Sequence, residues 1–193
     1  MAVKQQARMR MGGALALLLG PPACEEHPAP PDEPARQSLV ERDRWEWVED
    51  AAQDVFGGER PAGHVCDPVL GITIEMLGNE PVLELDTGFC DYATVRQPSL
   101  AALAVGDAVA ISMWHWELTT AAPAQAHLAL AVDGEVVWEE HVASPAAPAL
   151  VEAELEVTRD VPAGAELQLH VHNHGANSYD LVSLEVVRDE AEP

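Results

Sequence analysis

From Cys66 onward the chain alternates apolar and polar residues at every second position, and turn residues interrupt the alternation at short intervals. Successive side chains of a strand point to opposite faces, so a period of two reads as half-buried β-structure rather than helix. The pattern predicts nine strands, over 69–76, 81–86, 91–96, 107–118, 126–132, 135–142, 151–158, 166–173 and 179–188. Between them stand Gly78-Asn79, Val105-Gly106-Asp107, Asp133-Gly134 and Pro162-Ala163-Gly164, all turn formers. Asp133-Gly134, flanked by AHLALAV and EVVWEEHV, is the strongest hairpin signal, because both residues tolerate positive φ. Short strands with no helix between them predict an all-β fold, an antiparallel jelly-roll β-sandwich over residues 66–188.

The sequence before Cys66 is of a different kind. Lys4, Arg8 and Arg10 precede the apolar run MGGALALLLG, which is too short to cross a bilayer as a helix but suits the core of a signal peptide over residues 1–23. Ala23-Cys24 directly after that run resembles the lipobox of bacterial lipoproteins, in which the cysteine becomes the lipidated first residue. Pro21 stands where that motif prefers Leu. Residues 24–36 then form a lipidated N-terminus and an acidic, Pro-rich tether with little to bury. In residues 37–65, Ser38 and Glu41 have capping-box spacing, Gly57 is a helix stop, and Val40, Trp47, Val48, Ala51 and Val55 fall near one helical face. That spacing predicts a short helix docked on the sandwich. Residues 189–193 are an acidic tail.

Charge and cysteines bear on compartment and partners. The chain carries a net charge of −23. Without the first 23 residues, which hold three of its ten basic side chains and no acid, seven basic residues face 33 acids, a net of −26. Such a surface repels phosphate backbones, which argues against nucleic acid as a partner and leaves cations, neutral sugars and basic proteins. An odd cysteine count in an exported chain needs an explanation. Cys66 and Cys90 can pair in an oxidising compartment, leaving Cys24 where a lipid anchor belongs. The expected location is the bacterial cell envelope, exported and membrane-anchored through that lipid.

The succession DTGFCDY, QPSL, AVGDAVAISMWHW, PAQAHLALAVDGEVVWEE and HNHGANSYDLVSLEV resembles bacterial secreted lipoproteins that carry a carbohydrate-binding, galactose-binding-like jelly roll. The resemblance covers roughly residues 66–188. It implies a non-catalytic binding module whose partner is carbohydrate or another envelope component. It transfers no binding residue.

Near the end of the chain, LHVHNHGANSY places His170, His172 and His174 on alternate positions. Alternation turns Leu167, Leu169 and Val171 to the core and the histidines, with Gln168, to the other face. On 126–132 it turns Leu128, Leu130 and Val132 inward and His127, Ala129 and Ala131 outward. On 107–118 either Val109, Ile111, Met113 and His115 or Ala110, Ser112, Trp114 and Trp116 face the core. Small alanines beside histidines and tryptophans have the composition of a sugar-binding face. The candidate ligand contacts are therefore Trp114, Trp116, His127, His170, His172, Asn177 and Tyr179.

A second reading makes His170 and His172 ligands of one divalent ion, zinc or copper, completed by His127 or His115 from a neighbouring strand. The known histidine patterns fit incompletely. The spacing from Gly164 to His170 and His172 resembles the first cupin motif, but the glutamate it requires is missing. His170-Val171-His172 before Gly175 is similar to the copper site of copper–zinc superoxide dismutases, but no histidine follows His174. His115-Trp116-Glu117 resembles the triad of jelly-roll iron oxygenases with Glu in place of the usual Asp. A third reading makes the histidines plain polar residues on a wet strand face, in a structural or protein-interaction module without a small ligand. No nucleophile elbow, phosphate loop or four-cysteine zinc pattern is present, so the chain reads as non-enzymatic with no required cofactor.

Overall fold

The computed structural model describes residues 34–173 and 175–188. Its strands are β1 (Ala35–Ser38), β2 (Glu46–Trp47), β3 (Ile72–Leu77), β4 (Glu80–Asp86), β5 (Tyr92–Pro98), β6 (Ala108–His115), β7 (Ala124–Val132), β8 (Glu135–Ser144), β9 (Ala149–Glu156), β10 (Glu166–His172) and β11 (Ser178–Arg188). They form two antiparallel sheets. The first runs β3-β4-β11-β6-β9, with β1 also paired to β11; the second runs β2-β5-β10-β7-β8. From β4 to β11 the chain winds between the sheets in the jelly-roll order, β4, β11, β6 and β9 facing β5, β10, β7 and β8. Each of the nine expected strands is present, with ends moved by a few residues.

The alternation sorts the sheets as anticipated. Leu128 and Leu130 of β7 and Leu167, Leu169 and Val171 of β10 meet Leu83, Leu85, Val109, Ile111, Met113 and Leu184 from the opposite sheet in one apolar core. Each fully buried Leu or Ile there contributes about 2 kcal/mol by removal from water. Asp133 and Gly134 have φ of 53° and 78°, both positive, as a two-residue hairpin turn matched to strand twist requires. Cys66 and Cys90 are bonded, tying the segment before β3 to the start of β5.

The segment before Cys66 corrects two expectations. The expected helix within 37–65 does not form; among the described residues there, only Gly57–Glu59 are helical, as a single 3-10 turn. The apolar residues that suggested one stripe serve different places. Leu39 and Val40 enter the main core, whereas Phe56 lies with Tyr92, Ala129 and Ala131 on the far side of the second sheet. A single helix face cannot reach both. Ser38 caps nothing helical; its hydroxyl bonds the backbone of Val40. The tether, expected to run to residue 36, ends earlier, because Ala35–Ser38 pair with Glu185–Arg188 of β11. The signal peptide, Cys24 and the acidic tail lie outside the described residues.

Candidate functional site

The two outward faces of the sandwich differ, and the candidate residues are divided between them. On the second sheet, cross-strand register places Tyr92, His172, His127 and His141 in one row. Thr94, His170, Ala129 and Glu139 form the next. His127 therefore lies directly across from His172, as the ligand-face and metal readings both wanted. His115 does not join them. It sits on β6 of the other sheet, pointing into the sandwich, where its Nδ1–H donates to the Trp116 carbonyl at 2.8 Å.

The histidine face is closed rather than open. Residues 48–64 cross it, and Phe56 stacks on His170 with ring centroids 4.7 Å apart. A polar clamp holds the crossing segment. Asp54 accepts from Arg60 at 2.9 Å, from the Tyr92 hydroxyl at 2.8 Å and from the Phe56 N–H at 2.9 Å. Gln168 accepts from Val55 N–H and donates to the Gln53 carbonyl. His170 is fully buried, with Nδ1 on Thr94 Oγ1 and Nε2 unpartnered. Burial, then the neighbouring His127 and His172, holds its pKa well below the usual 6.5. The unfolded chain thus takes up a proton first as pH falls through that value, so acid weakens the fold here.

The face also lacks the geometry of a chelate. His127 and His141 stack with centroids 4.7 Å apart and planes at 23°, and the two nitrogens of His127 face Glu139 at 3.2 Å and Glu59 at 3.5 Å. Among the described residues, no three His, Cys, Asp or Glu side chains converge to hold an ion. His174 lies outside the described residues.

Two further candidates prove structural. Asn177 clamps a loop, its side chain accepting from Thr119 N–H at 2.7 Å and donating to Thr119 O at 3.2 Å. Tyr179 is fully buried, its hydroxyl accepting from Asn173 Nδ2 at 2.9 Å. Neither side chain is presented to a ligand. Both were singled out from their loop position, which carries no information on side-chain direction.

Trp114 and Trp116 lie on the opposite face of the molecule from the histidines. On β6, Val109, Ile111, Met113 and His115 are buried, so Ala108, Ala110, Ser112 and Trp114 face outward from the first sheet. Trp116, 51% exposed, packs edge-on to Trp114 with centroids 5.8 Å apart. Register continues the row outward: Thr73, Glu84, Asp180, Trp114 and Leu150 lie side by side across five strands. Asp180 is the member that residue-by-residue reading missed. Only the register of β11 on β6 puts an acid beside the tryptophans.

Asp180 is only 3% exposed, and its Oδ1 has no hydrogen-bond partner, nor has Trp114 Nε1. Burial first, then the charge of Glu84, pushes its pKa up to about 6, against a hydrogen bond from Trp116 that lowers it. The folded chain thus holds a proton between the ordinary 3.8 and about 6 that the unfolded chain does not, and stability declines as pH rises through that window. Asp180→Asn is expected to stabilise the fold by roughly 1–3 kcal/mol at pH 7 and by nothing near pH 3. Urea titrations at the two pH values check this; a loss of stability at pH 7 would contradict the account of Asp180 as an uncompensated buried charge.

On the same face, an open trough of about 270 Å³ is lined by Arg36, Ala110, Ser112, Glu152, Glu154 and Ser183. An apolar pocket near Arg159, about 60 Å³, is too small for a sugar ring.

No protein-family model and no curated protein matches the chain. Solved structures do. CBM27-1 of Caldicellulosiruptor saccharolyticus, solved with mannohexaose, is 12% identical over 68% of this chain and 89% of its own, with a TM-score of 0.45. TmCBM61, solved with β-1,4-galactotriose, is 9% identical over 79% of this chain and 99% of its own, at 0.45. The K3 adhesin domain of Lys-gingipain from Porphyromonas gingivalis is 10% identical over 80% of this chain and all of its own, also at 0.45. Several of the similar structures are carbohydrate-binding modules. No ligand residue is carried over from them.

Proposed function

We propose that this chain is a non-catalytic, carbohydrate-binding module of the bacterial cell envelope, exported and anchored through a lipid on Cys24. The observation that carries the binding reading is the Trp114–Trp116 corner, with Trp116 half exposed and Glu84 in the same row. An exposed indole, Trp116, offers a flat apolar surface to the C–H face of a pyranose, and the half-buried Glu84 and Thr73 in the Trp114 row offer polar groups to its hydroxyls. The Cys66–Cys90 bond supports an oxidising compartment, and leaves Cys24 as the odd cysteine for the anchor.

Affinity electrophoresis of residues 25–193 through gels holding soluble mannans, galactans, glucans and chitosans tests the binding. Retardation is expected in at least one gel, with Trp116→Ala weakening it by about tenfold or more, since an aromatic stack contributes about 1.5 kcal/mol. Unchanged retardation in Trp116→Ala would remove this face as the site. Incorporation of labelled palmitate into wild type and not into Cys24→Ala is the expected result for the anchor.

A further inference from the structure

We propose that residues 48–64 are a strap that acid lifts from the second sheet while the sandwich beneath stays folded. Release uncovers Tyr92, His170 and the alanine pair Ala129 and Ala131, a face that the neutral protein keeps closed.

The strap is built to move as a unit. Trp47 holds its start, paired to Val95, and the Cys66–Cys90 bond lies just beyond its end. In between it folds on itself: Gln53 N–H donates to Asp50 O and Gly57 N–H to Asp54 O, both at 2.9 Å. The turn is so tight that a Cβ at Gly57 would run into Ala51 O. Its buried ring, Phe56, belongs to a small cluster with Tyr92, Ala129 and Ala131, separate from the main core. Lifting the strap therefore leaves the leucines between the two sheets covered, and such a local opening costs less than unfolding the whole.

The ties to the sheet are few and polar. Val48 N–H donates to Thr94 O at 2.8 Å, Val55 N–H to Gln168 Oε1 at 2.9 Å, and Asp54 accepts from the Tyr92 hydroxyl at 2.8 Å. Thr94 and Tyr92 both touch His170, and Gln168 stands two residues before it.

His170 is the trigger. It is fully buried under Phe56, Nδ1 is on Thr94 Oγ1 at 2.9 Å, and Nε2 has no partner. A proton here would create a buried cation beside other bases: His127 of β7 at 5.3 Å between centroids, His172 of β10 at 6.5 Å, and Arg60 of the strap over the Tyr92 ring. The nearby carboxylates already have partners, Asp54 in Arg60 and Tyr92, and Glu139 of β8 in His127. Phe56 and Tyr92 offer the cation only their rings, which stabilise it less than the water it would lose. His141 stacks on His127 and His64 stands edge-on to Tyr92, each one ring removed from His170. One tie has the opposite sign: Glu59 of the strap faces His127 Nδ1 at 3.5 Å, and a proton on His127 strengthens it. Glu59 is 60% exposed, so water screens that pair and the buried charge prevails.

An imidazole released to water takes its proton near pH 6.5, whereas the closed one stays neutral well below that. The closed strap is thus stable above pH 6.5 and weakens below it; at pH 5 release is favoured by up to about thirtyfold, and at pH 7.5 by almost nothing.

Amide hydrogen exchange of residues 25–193 at pH 7.5 and pH 5, each corrected for the intrinsic rate, tests the strap. Protection of the Val48, Val55 and Gly57 amides is expected to fall at least tenfold at the lower pH, and to stay at least a hundredfold below that of Leu128, Leu130 and Leu169 in the core. His170→Gln, which stays neutral, is expected to abolish the fall. In wild type, the His170 imidazole signals are expected to titrate over the pH range in which strap protection is lost. Equal strap protection at the two pH values, protection in the strap equal to that in the core, or a His170 titration that leaves the strap protected would overturn the proposal. So would an undiminished acid response in His170→Gln.

Discussion

Replacing Asp54 with Ala is expected to lower the stability of the folded chain by about 3–5 kcal/mol. The carboxylate is fully buried and takes three donors at once: Arg60 at 2.9 Å, the Tyr92 hydroxyl at 2.8 Å and the Phe56 N–H at 2.9 Å. Truncation strands all three. The guanidinium of Arg60 is only 11% exposed and loses the Asp54 carboxylate that neutralises it, while its bonds to Val48 O and Glu49 O remain. Leaving a mostly buried charge unpaired is the expensive half of breaking such a pair. The Phe56 ring, set against His170, Ala129 and Ala131, also loses the turn that aims it. For a domain of this size the loss corresponds to a fall in Tm of about 10 °C. Asp54→Asn, which keeps an acceptor for Phe56, should lose less. Urea denaturation of both variants checks the ordering; losses below about 1 kcal/mol in each would mean that the segment over the histidine face is not clamped there.

Removing the Cys66–Cys90 bond ranks second. The two residues are 24 apart in sequence, and cross-linking a loop of that length restricts the unfolded chain by about 3 kcal/mol. Cys90 is in the main core, so the replacement matters: a Cys66→Ala and Cys90→Ala pair keeps the small apolar volume, whereas Ser would add a buried hydroxyl. The expected result is a loss of about 3 kcal/mol in the double variant, and a similar loss in wild type under reductant. A wild type indifferent to reductant would contradict the bond's contribution, and with it one support for an oxidising location.

Much of the architecture was legible because a period of two repeats along each strand. Leu167, Leu169 and Val171 point inward for the same reason that His170 and His172 point outward, and no long-range information is needed to see it. The order of strands was not legible. It decides that His127 meets His172, that His115 belongs to the other sheet, and that Trp114 and the histidines lie on opposite faces. The closure of the histidine face was hidden for a related reason. Segment 48–64 has few regular elements, and its anchors Asp54, Phe56 and Arg60 find partners on β5 and β10, far along the chain. A helix was expected from the spacing of Val40, Val48 and Val55, but spacing cannot distinguish one stripe from residues bound for separate cores. Asp180 escaped notice because its neighbours Trp114 and Glu84 come from β6 and β4 and meet it only through β11.

The proposed ligand site is the Trp114–Trp116 corner and not the histidine face. The most direct measurement is a set of indole and imidazole NMR spectra of residues 25–193, recorded during titration with the glucosamine, mannose and galactose hexamers. The indole N–H signals of Trp114 and Trp116 are expected to move with at least one of these sugars, while those of Trp45, Trp47 and Trp138 and the imidazole signals of His127 and His170 hold still. Shifts confined to the imidazoles, or no shift at either tryptophan with any of the three, would contradict it.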